Sequence, residues 1–319
     1  MITRGGEALG SSPETGTPRA EAIVAVPVRH WGRYVSAAVV IGLLVLLGVA
    51  LSKAKIQFAS IPKFLTSRVI LDGLRQTLVI SVTAQAVGIV IGVVFAVMRL
   101  SKNPVVSSVS WFYIWFFRGT PVLVQLVFWF NLALVFSTFT IPVPFTDLAI
   151  FSKPMNDFMT PFTAALLGLG LNEGAYMAEI VRAGIISVDE GQTEAAAALG
   201  MTSTQTMRRI VLPQAMRVII PPTGNEFINM LKTSSLAAVV LLGELFRAAQ
   251  NIYSSNLQTI ELLIVISIWY LVLTTVASTF QYYIERRFSR GSSRNLPRTP
   301  LQRIRANVLS LRRPAGGYE

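Results

Sequence analysis

The chain has 319 residues, of which 52% are hydrophobic and 14% are charged, and its mean hydropathy is +0.56. A soluble domain of this length needs a more polar surface, so the composition predicts a polytopic membrane protein. Cysteine is absent and the single histidine, His30, lies in the N-terminal tail, so neither a disulfide framework nor a metal site is predicted.

The formal net charge of +12 is concentrated at the C-terminal end of the chain. The segment from Glu285 to Glu319 contains nine arginines and two glutamates. A basic segment beside a hydrophobic span is typical of a cytoplasmic anchor on anionic lipid, and nucleic acid is therefore not expected as a partner.

Two hydrophobic spans are predicted in the first third of the chain. Residues 1–33 are expected to form a cytoplasmic tail, and Tyr34 to Ser52 then contains no charge and is long enough to cross the membrane. A second span is expected from Gln76 to Met98. Its Gly88 and Gly92 stand four residues apart, a spacing that lets another helix approach closely.

Four further spans are predicted from the rest of the hydropathy pattern. The aromatic segment 105–117 suits the membrane interface, and Gly119 and Pro121 mark a break before a third span at 122–136. A proline-rich loop is expected over 137–160. The remaining spans are expected from near Pro161, at about 222–242 and at about 260–284.

Six spans place both termini on the same side of the membrane, and the arginine-rich tail puts that side in the cytoplasm. The segment 184–220 is then also cytoplasmic, whereas the basic loop 53–75 lies outside and does not follow the charge rule. Each span is expected to be a helix, because a helix satisfies its own backbone hydrogen bonds in lipid. The predicted class is an all-α polytopic membrane protein.

The segment 184–220 is predicted to contain two capped helices. Ser187 and Glu190 have the spacing of a capping box, and the helix that they begin is expected to stop at Gly200 in a left-handed conformation. Thr202 or Ser203 is then expected to cap a second helix that ends before Pro213. From the residues alone, a solvated loop and a docking element for a cytoplasmic partner both remain open.

The same segment resembles the EAA loop of ABC-importer permease subunits. The pattern E-A-A-x-x-x-G, nine residues and then I-x-L-P is carried here by seven residues: Glu194, Ala195, Ala196, Gly200, Ile210, Leu212 and Pro213. Four more stretches are similar, in the same order, to the polar-amino-acid branch of the type I importers: FFRGTPVLVQL (116–126), LNEGAYMAEIVRAGIISVDEGQ (171–192), LPQAMRVIIPPTGNEFINMLK (212–232) and ELFRAAQ (244–250).

The resemblance implies a permease domain over 72–287, with the EAA loop at 194–213 and a five-span core. The span at 34–52 is extra to that core, and 288–319 is a basic cytoplasmic tail. In this family the permease is a multi-pass protein of the cytoplasmic membrane that pairs with a second permease subunit, and it moves a polar amino acid by alternating access. Its EAA helix docks on a cytoplasmic ATPase, and an extracytoplasmic binding protein delivers the amino acid.

The ATPase is expected to be a separate chain, because this sequence contains no G-x-x-x-x-G-K-[ST] motif. The permease itself is therefore predicted to need no cofactor and to be no enzyme, with ATP bound by its partner. The seven EAA residues are the predicted coupling residues.

Ionisable groups inside a span are costly, which makes each one a functional candidate. Glu226 is the first candidate for substrate binding, because a carboxylate after Pro221 and Pro222 is suited to an ammonium or guanidinium group. An ion pair with Lys232 or Arg118 is the structural alternative. The other candidates for the site are Asn225, Asn172, Glu173, Arg118 and Gln125.

Glu173 departs from the small residue expected between Asn and Gly in many relatives, and it is a candidate for tuning the choice of substrate. An opine- or ectoine-like solute is an alternative cargo. A membrane-embedded enzyme, with Glu173, Glu226 and Lys232 as catalytic groups, is disfavoured because no nucleophile–base signature is present. A channel is the third possible function, and it would conduct its solute without an ATPase.

Overall fold

A computed structural model describes residues 31–53, 56–146 and 148–288. The chain divides into two units. In the first, the described part is the helix α1 (Trp31–Ser52), whose apolar side chains are exposed all round. A helix that is hydrophobic on every face is typical of a membrane span.

The second unit consists mainly of helices. A short helix α2 (Ile61–Leu65) precedes the long α3, and α4 and α5 form a bent pair, after which a β-hairpin leads into α7. The bounds of these elements are α3 (Arg68–Arg99), α4 (Pro104–Gly119), α5 (Val122–Phe130), β1 (Thr138–Pro142), β2 (Ala149–Pro154), α6 (Met155–Phe158) and α7 (Pro161–Ile186).

The second half of this unit begins with the segment that resembles the EAA loop and ends with a long apolar helix. Its elements are α8 (Glu190–Ala198), α9 (Ser203–Thr206), a π-helical turn (Met207–Val211), α10 (Leu212–Thr233), a 3-10 segment (Ser234–Val240), α11 (Leu245–Asn256) and α12 (Thr259–Phe288).

Among the described residues, three helices are long and apolar enough to cross a membrane, namely Tyr34–Ser52 within α1, α3 and α12. Two bent pairs raise the number of candidates to five in the part of the chain that the structure describes. The predicted helical membrane class is confirmed, whereas the count of six spans stays a prediction. The 26 residues of α7 include Asn172 and Glu173 within a helix long enough to span, at roughly 39 Å.

The third span was wrongly placed at 122–136. The helix α5 has nine residues and ends at Phe130, and its axis is bent by 100° from that of α4. At about 1.5 Å per residue, α5 is too short to cross a bilayer by itself. The pair α4 and α5 is therefore the candidate for a broken span.

The proline-rich loop predicted over 137–160 contains an antiparallel hairpin. Thr138 pairs with Pro154 and Ile141 with Phe151 in its register. Phe139 stacks on Phe158 with ring centroids 4.4 Å apart, which ties the hairpin to α6. Pro142 and Pro154 end the two strands, as proline does when it cannot donate to the ladder.

The close helix contact predicted from Gly88 and Gly92 is confirmed. A Cβ atom on Gly88 would lie 2.5 Å from Cγ of Glu173, and one on Gly92 would overlap Met177. The two glycines of α3 therefore let the backbone of α7 approach. This contact places the polar part of α7 at the centre of the unit, against a core that includes Ile80, Ala84, Leu126, Leu169 and Met230.

Candidate functional site

A polar cavity of about 650 Å³ lies between α5, α7, α10 and the 3-10 segment that follows α10. Its lining contains two carboxylates, Glu173 and Glu226, and one ammonium group, that of Lys232. The other lining residues are Val122, Leu169, Asn172, Tyr176, Asn229, Met230, Thr233, Ser235 and Leu236.

Helical periodicity explains why these side chains converge. Asn172, Glu173 and Tyr176 lie within one turn of α7, and Glu226, Asn229 and Thr233 follow one another along α10 at intervals of three and four residues. Residues at those intervals share a helix face. The chain thus brings three of the predicted binding residues, Asn172, Glu173 and Glu226, to one cavity.

Glu226 has an unpaired carboxylate. Its side chain is half-buried, and neither a hydrogen bond nor an ion pair joins it to another residue that the structure describes. The alternative partners suggested by the sequence, Lys232 and Arg118, are both exposed. A carboxylate at a cavity wall without a protein partner is available to a cationic ligand.

Glu173 is held more firmly. Its side chain is 5% exposed, and Oε1 accepts a hydrogen bond from Nε2 of Gln85 at 3.0 Å. Two carboxylates on one cavity repel each other, and the energy of that repulsion grows as water is excluded. A ligand with a positive group between Glu173 and Glu226 offsets the repulsion.

Three predicted binding residues do not line the cavity. Gln125 is buried at the break between α4 and α5, where Nε2 donates to the carbonyls of Phe117 and Thr120 at 3.0 and 3.1 Å. The guanidinium of Arg118 lies 5.0 Å from the centre of the Tyr176 ring. Tyr176 lines the cavity, and Arg118 packs behind it. Asn225 is exposed.

Tyr176, Asn229 and Lys232 complete the polar wall, and sequence reasoning did not name them as binding residues. A signal for Tyr176 and Asn229 was present, because each stands three residues after a candidate on the same helix. Gln85 gave no such signal, since its contact with Glu173 joins residues 88 positions apart.

The helix α8 begins at Glu190, two residues later than predicted. Asp189, and not Ser187, is the N-cap, and its Oδ1 accepts a hydrogen bond from the backbone of Gly191 at 2.8 Å. Ser187 instead ends α7, where its hydroxyl donates to the carbonyl of Gly184. Aspartate and serine are comparable N-caps. Because α7 continues to Ile186 and Ser187 is its C-cap, Asp189 is the residue that caps α8.

The turn after α8 has the predicted geometry. Gly200 has a φ of 74°, and the amides of Gly200 and Met201 donate to the carbonyls of Ala197 and Ala196 at 2.9 and 3.1 Å. These two bonds form a Schellman motif. Thr202 and Gln205 then form a capping box at the start of α9.

The coupling residues predicted from the EAA pattern differ in exposure. Glu194 and Ala195 face solvent, whereas Ala196 is 3% exposed and packs within the chain. Leu199, which the EAA pattern leaves unspecified, is 82% exposed beside the turn. Beyond α9, Ile210 lies in the π-helical turn, and Leu212 and Pro213 are exposed at the start of α10. The turn thus presents Ala195 and Leu199 on an outer face.

Comparison with known proteins identifies the family to which this chain belongs. The family described as "binding-protein-dependent transport system inner membrane component" matches residues 88–290. The chain belongs to this family. The match includes α7 to α12, and therefore contains Asn172, Glu173, Glu226 and the EAA segment.

Individual members of the family cover most of the chain. It is 43% identical to the arginine transport system permease protein ArgU of Corynebacterium glutamicum, over 90% of each chain. It is 35% identical to the glutamine transport system permease protein GlnP of Escherichia coli strain K12, over 68% of this chain and 92% of that protein.

A solved structure supports the same assignment. A chain in the crystal structure of an amino acid ABC transporter with histidines is 36% identical, is covered completely and covers 73% of this chain, with a TM-score of 0.62. As a binding-protein-dependent inner membrane component, this chain is a membrane-embedded transport subunit.

Proposed function

We propose that the chain is the permease subunit of an ATP-driven importer for an amino acid with a cationic side chain, and that its cargo binds in the cavity between α7 and α10. The observation that carries this proposal is the unpaired carboxylate of Glu226 across the same cavity from Glu173. The cavity, at about 650 Å³, has room for one amino acid with some water.

The two carboxylates favour a guanidinium or ammonium side chain over a neutral one. A guanidinium forms paired hydrogen bonds with a carboxylate, and the substrate's positive charge relieves the repulsion between Glu173 and Glu226. Lys232 supplies a positive group for the α-carboxylate of the amino acid. The similarity to an arginine transport permease agrees with this choice.

The outer face of α8 is the proposed joint with a separate ATPase. Both termini are proposed to be cytoplasmic, which puts α8, the Schellman turn and α9 on the cytoplasmic side. When the ATPase closes around ATP, it moves the surface of α8 that contains Ala195 and Leu199. Because α8, α9 and α10 follow one another along the chain, this movement is transmitted to Glu226 on α10. A binding protein delivers the amino acid from the other side, and a second permease subunit completes the pathway.

The test replaces Glu226 by Gln and measures uptake of arginine and of citrulline, its neutral isostere, in vesicles that contain the complete importer. Arginine uptake at low concentration is expected to fall by about tenfold or more, because a charge-assisted bond becomes a neutral one. Citrulline uptake is expected to stay level or rise.

Glu179→Gln is the matched control, because Glu179 lies on α7 but pairs with Arg182 at 2.7 Å and does not line the cavity. Assembly with the ATPase is checked for both variants. Unchanged uptake of every amino acid in Glu226→Gln would refute the proposed site.

A further inference from the structure

We infer that Gln85 is a positioning residue that aims the Glu173 carboxylate into the cavity, and that it thereby sets the preference for a cationic side chain. The inference rests on the proposed function, because it assigns a role to Gln85 through the carboxylate that faces the cargo.

Within the described part of the chain, Gln85 is linked to the cavity through Glu173. Its Nε2 donates to Oε1 of Glu173 at 3.0 Å, and both side chains are almost fully buried, at 6% and 5% exposed. Glu173 lines the polar cavity and Gln85 does not. Gln85 instead borders a second, mainly apolar cavity of about 500 Å³ between α3, α10 and α12.

Gly88, one turn along α3 from Gln85, fixes the stem of the same glutamate. A Cβ atom there would lie 2.5 Å from Cγ of Glu173 and 2.8 Å from its Cβ. The glycine therefore lets the aliphatic part of Glu173 lie against the backbone of α3. With the stem held by Gly88, the bond from Gln85 decides which way the carboxylate turns.

The amide of Gln85 is not explained by packing. Its Oε1 is buried and has no hydrogen-bond partner among the described residues, an arrangement that destabilises a fold. An apolar residue of the same length, such as methionine, would remove that loss. The bond to Glu173 is what glutamine adds at this position.

Orientation of the carboxylate affects charged and neutral cargo differently. Paired hydrogen bonds to a guanidinium need both carboxylate oxygens at fixed positions. A citrulline side chain has the same shape and lacks the charge, so it gains much less from the same alignment. Loss of the bond from Gln85 should therefore weaken arginine binding selectively.

The experiment measures equilibrium binding of radiolabelled arginine and citrulline to the purified complex of the full-length permease with its ATPase. Gln85→Met is expected to weaken arginine binding by about tenfold and citrulline binding by less than about twofold. Gln85→Asn keeps an amide on a shorter stem and should retain part of the arginine affinity, and it also provides the measurement if Gln85→Met does not assemble.

A double-mutant cycle with Glu173→Ala isolates the proposed route. In the Glu173→Ala background, Gln85→Met is expected to change neither affinity. Gln125→Met is the matched control, a second buried glutamine that does not contact Glu173, and it should change both affinities by the same factor.

Two results would overturn the inference: equal losses for arginine and citrulline in Gln85→Met, or the same loss of arginine affinity with and without Glu173. Failure of the proposed function has a different signature, which is a wild-type complex that binds citrulline as tightly as arginine. In that case the double-mutant cycle is measured with the amino acid that the wild-type complex binds most tightly. If the affinity losses of Gln85→Met and Glu173→Ala simply add, Gln85 does not act through Glu173.

Discussion

Asn172 and Gln125 donate hydrogen bonds to the same carbonyl oxygen, that of Phe117, over 2.7 and 3.0 Å. Phe117 lies in the last turn of α4, just before the chain bends by 100° into α5. One backbone group thus ties a wall of the cavity to the bend. Asn172 keeps its position in the lining, and Gln125 stabilises that position without reaching the cavity.

Gln125→Leu is expected to lower the stability of the complex without changing its amino-acid preference. The substitution leaves the bend without the bonds that Gln125 donates to Phe117 and Thr120, at a cost of about 1–3 kcal/mol. Thermal unfolding of the purified complex measures the loss of stability. Asn131→Leu is the control, because the side-chain amide of Asn131 is exposed and bonds to the carbonyl of Val127 within the same helical turn. A changed ratio of arginine to citrulline affinity at unchanged stability would instead place Gln125 in the site.

Gly200→Leu is expected to prevent co-purification of the permease with its ATPase. A leucine at a φ of 74° is strained by roughly 1–2 kcal/mol, so the Schellman turn shifts and the angle between α8 and α9 changes. Gly200→Asn is the control, because asparagine tolerates the left-handed region. Normal co-purification of the leucine variant would count against the EAA segment as the coupling element.

The long helices and the EAA turn were predictable because their causes are local. An uncharged run of about twenty residues predicts a span without knowledge of its neighbours, and Gly200 stops a helix through its own backbone freedom. Thr202 and Gln205 likewise form their capping box within four residues. Local rules were insufficient where two caps compete, as for Ser187 and Asp189.

The convergence of Glu173 and Glu226 was only partly predictable. Each residue was a candidate because a carboxylate within a span is costly, but no local rule says that α7 and α10 face one cavity. The pairing of Gln85 with Glu173 depends on the contact between α3 and α7, which Gly88 permitted and did not specify. The hairpin over 138–154 was missed because its prolines resemble those of a loop.

Leu199→Glu is expected to weaken ATPase binding while the permease alone stays equally stable. Leu199 is 82% exposed at the end of α8, and an apolar side chain at that exposure contributes to binding when a partner covers it, by about 1–3 kcal/mol. Affinity for the ATPase is measured on the detergent-solubilised permease. Leu257→Glu is the control, at 86% exposed after α11, and an equal loss in both variants would refute the assignment of Leu199 to the interface.

Glu244→Ala is expected to destabilise the junction of α3, α11 and α12. Glu244 is fully buried and caps α11, accepting hydrogen bonds from the amides of Phe246 and Arg247 at 2.9 and 2.8 Å and from the hydroxyl of Tyr270 at 3.0 Å. Loss of a cap and of a buried acceptor together costs about 2–4 kcal/mol. Thermal unfolding of the complex measures this change.

The partner variant Tyr270→Phe tests whether the two side chains act as a unit. It removes one bond to Glu244 and leaves the cap in place, so it is expected to cost about 1 kcal/mol. In Glu244→Ala the Tyr270 hydroxyl loses the carboxylate that accepts its hydrogen bond, and Tyr270→Phe removes that hydroxyl. The double variant should therefore be no less stable than Glu244→Ala alone, and losses that simply add would show that the Tyr270 bond to Glu244 does not stabilise the junction.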